Sequence, residues 1–376
     1  MQIPLSKPWI TEGDIKAVEE VLRTPYLSLG SKLPEFEERL ARVANTKYAV
    51  AVNSGTSALH LIIRSLGIKD EDEVITTPFS FIASANCILF ERAKPVFVDI
   101  RPNTYNIDPD LIEDAITERT KAILGVDVFG QPADWDEILE IANKHNLYVI
   151  EDSCEAIGSE YKGQSAGSFG VVGAFAFYPN KQITTGEGGV IVTNDENVYK
   201  LSGSMRNQGR GEEDTWLSHT RLGYNYRISD INCALGISQL KRLNEIIEMR
   251  DAVAKMYSQK LSEVEEVITP YISPEVTRMS WFVYVIKLTE DFDRNKRDMV
   301  IEELEKRGIQ TQNYFKAIHL QPFYVEQFGF KEGDFPIAEF VSERTIALPF
   351  YTTMTEEEID YVVSNLKEVI LEAKKL

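Results

Sequence analysis

The chain has 376 residues, of which 43% are hydrophobic and 26% are charged, the proportions of a folded protein with a sizeable core. This length fits two domains, and the composition shows no disordered or low-complexity excess. The formal net charge of -19 argues against a nucleic-acid or anionic-membrane partner, because the mean field of the protein repels phosphate polymers. An anionic ligand would therefore have to be bound by local groups.

Metal and membrane functions are not indicated either. With four histidines, three cysteines and no Cys-x-x-Cys or His-x-x-x-His spacing, we expect no protein-held metal centre. Cys87, Cys154 and Cys233 lie far apart in apolar stretches and are expected to be buried thiols. No apolar run reaches the roughly 18 residues of a membrane span, and the N-terminus lacks a basic flank followed by an apolar core. We expect a cytoplasmic location.

Strand and helix patterns alternate through the first two-thirds of the chain. Strands are predicted at 48–52, 73–77, 94–99, 122–126 and 147–150, and helices at 56–66, 80–90, 108–117 and 134–144. A further strand that ends near Pro179 precedes Lys181 and a glycine-rich turn. This alternation predicts a wound α/β sheet.

The pattern changes after about residue 228. A long helical stretch to about 263, a strand at 281–286, a helix at 296–307 and closing helices are predicted there. We therefore predict a large domain over residues 1–245 and a smaller C-terminal domain over 246–376.

Ligands of wound α/β sheets bind beyond the carboxyl ends of the strands. Four segments occupy such positions: Asn53–Ser57, Pro78–Phe81, Glu151–Asp152 and Lys181. An amine at a strand exit, as in Lys181, can form a Schiff base with a carbonyl group. The alternative for Lys181 is an ordinary solvated loop lysine.

Each of the other segments also has two interpretations. The start of a helix after Asn53 offers amides, hydroxyls and the helix dipole to a phosphate, or else Ser54 or Thr56 is only a helix cap. A buried Asp152 requires a positive partner, which would be a pyridinium nitrogen, or else a cap or an internal salt bridge. Phe81 could cover a flat ring, or else belong to the core. Taken together, the four segments supply what pyridoxal phosphate requires.

The chain also resembles, over nearly its whole length, the DegT/DnrJ/EryC1/StrS family of sugar aminotransferases. The matching stretches are 36–37, 54–59, 77–83, 129–134, 151–156, 174–189, 223–227, 314, 318–322 and 347–349. The resemblance implies a pyridoxal-phosphate enzyme of fold type I, similar to aspartate aminotransferase. Such an α/β protein has a large mixed-sheet domain and a smaller C-terminal α/β domain.

The resemblance implies a role for each matching cofactor residue. Lys181 would carry the cofactor as an aldimine and would also move protons during catalysis. Asp152 would pair with the pyridine nitrogen, and Phe81 would stack on the ring. The phosphate would be held by Gly55, Thr56 and Ser57.

Further residues follow from the same resemblance. Asn225 would reach the phosphate of the neighbouring subunit's cofactor, which implies a homodimer with shared active sites. Arg227, Tyr314 and His319 match positions near the active site and would contact the substrate, although Arg227 could equally form a structural ion pair. Glu155 replaces a frequent glutamine and would place a carboxylate near the phenolic oxygen of the ring.

Two more departures from the family pattern concern the cofactor site. Ala176 stands where many members have a serine that touches the phosphate, and Val126–Phe129 lacks a frequent histidine. Because the protein is acidic, a nucleotide diphosphate would need local cations, for which four residues are candidates: Arg206, Arg210, Arg221 and Lys316. Each could instead be an ordinary solvated charge.

The implied reaction transfers an amino group from L-glutamate to a nucleotide-linked keto sugar, a 3-keto or 4-keto deoxyhexose. Related dehydratases replace the lysine by histidine, and Lys181 argues against that activity. Two alternatives stay open: amination of a cyclitol ketone, and a non-catalytic regulator or scaffold that only binds the cofactor.

Overall fold

A computed structural model of the protein describes residues 1–211 and 218–375. Its helices are α1 (Glu12–Leu22), α2 (Lys32–Val43), α3 (Gly55–Ser65), α4 (Ala83–Phe90), α5 (Trp135–His145), α6 (Glu196–Arg206), α7 (Asp230–Leu240), α8 (Leu243–Leu261), α9 (Arg294–Lys306), α10 (Pro322–Phe328), α11 (Pro336–Arg344) and α12 (Glu356–Ala373). Its strands are β1 (Tyr48–Val52), β2 (Glu73–Thr76), β3 (Lys94–Phe97), β4 (Thr120–Val126), β5 (Tyr148–Asp152), β6 (Glu160–Tyr161), β7 (Gln164–Ser165), β8 (Val172–Ala176), β9 (Gly189–Thr193), β10 (Val267–Ile268), β11 (Val276–Arg278), β12 (Tyr284–Leu288) and β13 (Thr345–Leu348).

A seven-stranded sheet in the order β1-β9-β8-β5-β4-β2-β3 forms the centre of the large domain. Strand β9 runs antiparallel to β1 and β8, while β8, β5, β4, β2 and β3 pair in parallel. The inner strands are almost wholly buried, as expected for parallel strands covered on both faces. The wound α/β sheet predicted from the sequence is confirmed.

A second hydrophobic core lies in the C-terminal part, where β10, β12 and β13 form an antiparallel sheet. Helices α8, α9 and α12 contribute buried residues to this core, among them Tyr257, Val300 and Leu366. Helix α8 crosses the division predicted after residue 245, and that division stays a prediction.

The structure corrects three predicted elements. The helix expected at 108–117 is replaced by 3-10 turns at Pro109–Leu111 and Glu113–Ala115, since the Asp108 carboxylate accepts the Asp110 amide in a competing local turn. The helical stretch after residue 228 is two helices, interrupted at Arg242. The strand predicted at 281–286 begins only at Tyr284.

The cysteine prediction holds for Cys87 and Cys233, which are buried, whereas Cys154 is only half-buried. Among the described residues, no helix is both long enough and apolar enough to cross a membrane. The predicted cytoplasmic location stays a prediction.

Candidate active site

A cavity of about 640 Å³ lies at the carboxyl ends of the central strands. All four predicted strand-end segments line it. Ser54, Gly55 and Thr56 come from the start of α3, Phe81 from the loop after β2, and Asp152 from the end of β5, while Lys181 follows β8. The structure thus brings most of the predicted cofactor residues together around one space, whereas Ser57 and Asn225 are not among the lining residues.

Lys181 is not a solvated loop lysine, because only 12% of its side chain is exposed. Its Nζ lies 3.4 Å from Glu155 Oε1 and 3.7 Å from the centre of the Phe282 ring. The amine therefore sits between a carboxylate and an aromatic face, at the wall of the cavity.

Asp152 is a buried carboxylate, with 4% of its surface exposed. Its Oδ2 accepts a 2.6 Å hydrogen bond from the Ser84 hydroxyl, and the Cys154 amide lies 3.3 Å from Oδ1. Within the described ranges, no lysine, arginine or histidine nitrogen approaches this carboxylate within 4.0 Å. A buried carboxylate in this state fits a cationic partner such as a protonated ring nitrogen.

The start of α3 presents its positive end to the cavity. Ser54 caps the helix by accepting the Ser57 amide at 3.1 Å, so the cap interpretation is correct for Ser54. The amides of Gly55 and Thr56 belong to the first turn and have no acceptor within the helix, which suits a phosphate. The Ser57 hydroxyl instead donates to Asn53 Oδ1 at 2.7 Å.

Gly55 and Ala176 are in direct contact beside this helix start. A β-carbon added to Gly55 would lie 2.7 Å from the Ala176 β-carbon, so only glycine fits there. Both residues line the cavity. The replacement of a serine by Ala176 therefore falls on the part of the wall that would face a phosphate.

Glu155 is also buried and lines the cavity. Its second oxygen, Oε2, accepts the Phe129 amide at 2.9 Å. Burial raises the pKa of this carboxyl above its ordinary value, while the nearby Lys181 amine acts in the opposite direction. Glu155 is thus held in place from both sides.

Of the three residues predicted to contact the substrate, the structure places one at the cavity and two outside its lining. Tyr314 lines the cavity. His319 does not; it is fully buried, with its Nε2 3.0 Å from Glu339. Arg227 lies outside the lining and donates to Asn207 Oδ1 at 3.1 Å. Asn225 is exposed and lies outside the cavity of its own chain.

None of the four candidate cations for a nucleotide diphosphate lines the cavity. Arg206 pairs with the Glu37 carboxylate and donates to the Ala51 carbonyl at 2.6 Å, which makes it a structural residue. The other three lie elsewhere, with Arg221 and Lys316 exposed and Arg210 half-buried. Among the cavity-lining residues that the structure describes, Lys181 is the only basic one.

Several lining residues were not anticipated from the sequence, namely Ser84, Tyr178, Asn180, Phe282 and Asn313. Asn180 directly precedes Lys181, so its position in the chain could have identified it as a residue of the site. Phe282 lies in the segment predicted as a strand, where an aromatic residue indicates only core packing. The described residues contain no group of His, Cys, Asp and Glu side chains arranged to hold a metal ion.

Residues 8–367 match the sequence profile of the DegT/DnrJ/EryC1/StrS aminotransferase family. The chain belongs to this family. Membership confirms the predicted enzyme class, a sugar aminotransferase that uses pyridoxal phosphate, and the residues described above fit that cofactor. Asp152 has an unpaired carboxylate for the ring nitrogen, and the start of α3 has free amides for the phosphate. Lys181 has an amine for the aldehyde.

Similar proteins cover nearly the whole chain. An uncharacterized protein of Methanocaldococcus jannaschii is 42% identical over 98% of both chains. The Bacillus subtilis spore coat polysaccharide biosynthesis protein SpsC is 37% identical over 98% of this chain and 97% of its own. The GDP-perosamine synthase of Caulobacter vibrioides is 37% identical over 98% of this chain and 99% of its own.

Solved structures agree with this assignment. A Streptococcus pneumoniae protein described as a sugar aminotransferase, in its PMP-form, superimposes with a TM-score of 0.95 at 30% identity, over 99% of this chain and 98% of its own. Helicobacter pylori PseC, an aminotransferase involved in the biosynthesis of pseudoaminic acid, gives 0.93 at 31% identity, over 99% of this chain and 100% of its own. The predicted fold class is confirmed.

Proposed function

We propose that this aminotransferase moves the amino group of L-glutamate to the ketone of a nucleotide-linked 3-keto or 4-keto deoxyhexose. The observation that supports the reaction is the convergence of Lys181, Asp152 and the start of α3 on one cavity. Two similar proteins support the substrate class. The Caulobacter protein is named GDP-perosamine synthase, and PseC is described as an aminotransferase involved in the biosynthesis of pseudoaminic acid.

Pyridoxal phosphate, when bound, supplies an aldehyde for an amine and a protonated ring that accepts electrons from the reacting carbon. Lys181 would hold that aldehyde covalently and, as a free amine, would remove or return the proton at the substrate carbon. Asp152 would keep the proton on the ring nitrogen, because its buried carboxylate favours a cationic partner. Gly55 and Thr56 would hold the phosphate by their amides.

The cavity wall suits a sugar that lacks some hydroxyl groups. It is lined on several sides by aromatic rings, those of Phe81, Tyr178, Phe282, Tyr314 and Phe315. Phe81 is 60% exposed, so one face of its ring is available to cover a flat cofactor. We place the nucleotide on the Phe315 side of the cavity, because Lys316, which is exposed and follows Phe315 in the chain, could supply a cation there.

We propose that the active unit is a homodimer in which Asn225 completes the site of the partner. Asn225 is exposed, and its backbone is fixed to the rest of the chain on both sides. The Tyr226 carbonyl accepts the Asn53 amide at 3.0 Å, and Asn225 forms a backbone bridge with Asn207. The fixed backbone thus presents the Asn225 side chain at the surface, where a neighbouring subunit would meet it.

The first half of the reaction is tested by absorption spectroscopy of the protein loaded with pyridoxal phosphate. L-glutamate should convert the visible absorption of the bound cofactor to that of its aminated form. Lys181→Ala should abolish this conversion, and Lys162→Ala, which changes an exposed lysine away from the cavity, should leave it intact. Candidate keto sugars are then recognised by return of the original band.

The outcomes separate the alternatives. Return of the band with cyclitol ketones, but with no nucleotide-linked keto sugar, would favour the cyclitol enzyme. A loaded protein that responds to no amino donor would favour the non-catalytic regulator or scaffold.

The shared site is tested by mixing two inactive variants, Lys181→Ala and Asn225→Ala. In a mixed dimer, one site would contain both intact residues and the other neither. Activity should therefore reappear after the subunits exchange. If the mixture stays as inactive as its components while exchange is demonstrated, Asn225 acts within its own chain.

A further inference from the structure

The amine of Lys181 faces two groups whose positions are fixed by the backbone. The Phe129 amide donates to Glu155 Oε2 at 2.9 Å, and the Phe129 carbonyl lies 3.4 Å from the Phe282 amide. One residue thus links the carboxylate and the ring that flank the amine.

Phe282 is held from behind by a buried arginine. Arg250 on α8 donates to the Trp281 carbonyl at 2.7 Å and to the Phe282 carbonyl at 2.6 Å. Within the described ranges no carboxylate lies within 4.0 Å of Arg250, so its role in the fold is to fix this backbone. The backbone that carries the Phe282 ring is consequently fixed, and the ring itself is buried and lines the cavity beside the Lys181 amine.

We infer that Phe282 is a positioning residue for the catalytic amine, and that its ring and the Glu155 carboxylate together hold protonated Lys181 at the cavity wall. A cation 3.7 Å above the centre of an aromatic ring is attracted by the negative face of that ring, most strongly where water is excluded. Phe282 is 2% exposed, which meets that condition.

The inference rests on the proposed function, in which Lys181 would have to act as a free amine at the substrate carbon in each half-reaction. An ammonium group on a flexible side chain would otherwise turn toward water, away from the carbon it must protonate. Glu155 supplies the opposite charge, and Phe282 supplies an attractive surface that cannot itself take the proton. Asp152 and Glu187 are the other carboxylate residues that line the cavity. The hydrogen bonds of Asp152 point toward Ser84 and Cys154.

The test measures acetylation of Lys181 in the cofactor-free protein as a function of pH, read for this one lysine by peptide mass spectrometry. Only the unprotonated amine reacts, so the midpoint of the rate profile reports how well the ammonium form is held. Greater access of the reagent would instead raise the plateau rate without moving the midpoint. The measurement needs neither substrate, so it can fail independently of the proposed reaction.

We expect the midpoint to move to lower pH when either partner of the amine is removed. For Phe282→Leu the rate below the midpoint should rise roughly five- to thirty-fold, the range of a single cation–π contact that is shielded from water. For Glu155→Gln the rise should be about tenfold or more, since loss of a buried opposite charge shifts a titration by a full pH unit or more. Phe282→Trp should restore the wild-type midpoint.

The matched control is Phe315→Leu, since the Phe315 ring lines the same cavity but stacks on Phe129 at 5.3 Å. Its midpoint should equal that of the wild type. The inference would be overturned if the midpoint in Phe282→Leu were unchanged or raised. It would also be overturned if Phe282→Trp behaved like the leucine variant. In either case the Phe282 ring would only fill space.

In the loaded enzyme the same variants give a second readout. A positioning residue for the amine predicts a lower kcat in Phe282→Leu with little change in the KM for L-glutamate. A rise in KM with kcat unchanged would assign the ring to substrate binding and contradict the inference.

Discussion

Glu151 and Asp152 are consecutive carboxylates at the end of β5, both buried, yet their surroundings differ completely. Successive side chains of a strand point to opposite faces of the sheet. The two oxygens of Glu151 accept the amides of Gly167 and Gly170 at 2.7 and 2.6 Å. Those of Asp152 face the cavity and are met by one hydroxyl and one distant amide.

The comparison shows that burial alone does not mark a functional carboxylate. Glu151 is used by the fold, since it ties the end of β5 to the loop before β8. Asp152 keeps acceptor capacity that no charged side chain among the described residues uses. The difference predicts opposite responses to the same chemical change, the replacement of a carboxylate by an amide.

Asp152→Asn should have the larger effect on catalysis. In the proposed mechanism the Asp152 charge would hold the ring proton, so its loss should reduce the proposed half-reaction with L-glutamate on the order of 10²-fold or more. The cofactor-free protein should melt at an equal or higher temperature, because an unpaired buried charge has been removed. Single-turnover kinetics and thermal melts measure the two effects.

The decisive comparison for Asp152 is between these two readouts. A variant that is normally active but less stable would show that Asp152 is a structural residue like its neighbour.

Glu151→Gln should do the reverse. The new NH2 group must face one of the two glycine amides. Unlike either oxygen of a carboxyl group, protonated or not, this nitrogen cannot accept the hydrogen bond, so a buried donor is left without an acceptor at a cost of about 1–3 kcal/mol of unfolding free energy. The folded fraction should keep kcat within a few-fold of the wild type. Urea unfolding of the cofactor-free protein gives the stability, and a large loss of kcat in fully folded protein would refute this assignment.

Stability should also depend on pH through Glu151. Burial raises the pKa of Glu151 from 4.5 to about 8, so the folded chain keeps a proton that the unfolded chain has released. This contribution is complete below about pH 4.5 and is lost as the pH rises to about 8. Melting temperatures should fall across that window, and the fall should be smaller in Glu151→Gln; an equal fall in both proteins would contradict the role of Glu151.

Much of this comparison could be anticipated from the sequence, but not its key step. The alternation of apolar runs predicted the strands, and the rule for strand ends selected Asp152, Lys181 and the start of α3. In the sequence, Glu151 and Asp152 formed one acidic segment at a strand end, and nothing in that segment distinguished the two carboxyl groups. Which carboxylate faces the cavity depends on the pleat and on the glycine amides, sixteen and nineteen residues further along the chain, that satisfy Glu151.

Other residues were beyond sequence reasoning for a similar reason. Phe282 comes from a segment about a hundred residues after Lys181, and only the packing of β12 and α8 brings it to the amine. Arg206 had the charge expected of a phosphate ligand, but its partner Glu37 lies on α2, far away in the chain. Long-range contacts of this kind carry no periodic signal.

The smallest effect is expected from Ser84→Ala, which removes the hydroxyl that donates to Asp152 Oδ2 at 2.6 Å. Loss of one hydrogen bond to the carboxylate should slow the half-reaction by roughly tenfold, which corresponds to about 1.5 kcal/mol, the lower end of the range for a hydrogen bond to a charged group. Ser80, which bonds to Ser84 at 2.8 Å and not to the carboxylate, is the matched control and should lose less when changed to alanine.

The test of mechanism for Ser84 is the double variant with Asp152→Asn. If Ser84 acts only by orienting the Asp152 charge, its removal should cause no further loss once that charge is gone, because contacting residues are coupled. Additive losses would instead mean that Ser84 contacts the cofactor or substrate independently. In that case several residues around the cavity, and not Asp152 alone, would contribute to catalysis. The contrast with Glu151 would then come from the side of the sheet that each side chain faces, and not from the Asp152 carboxylate itself.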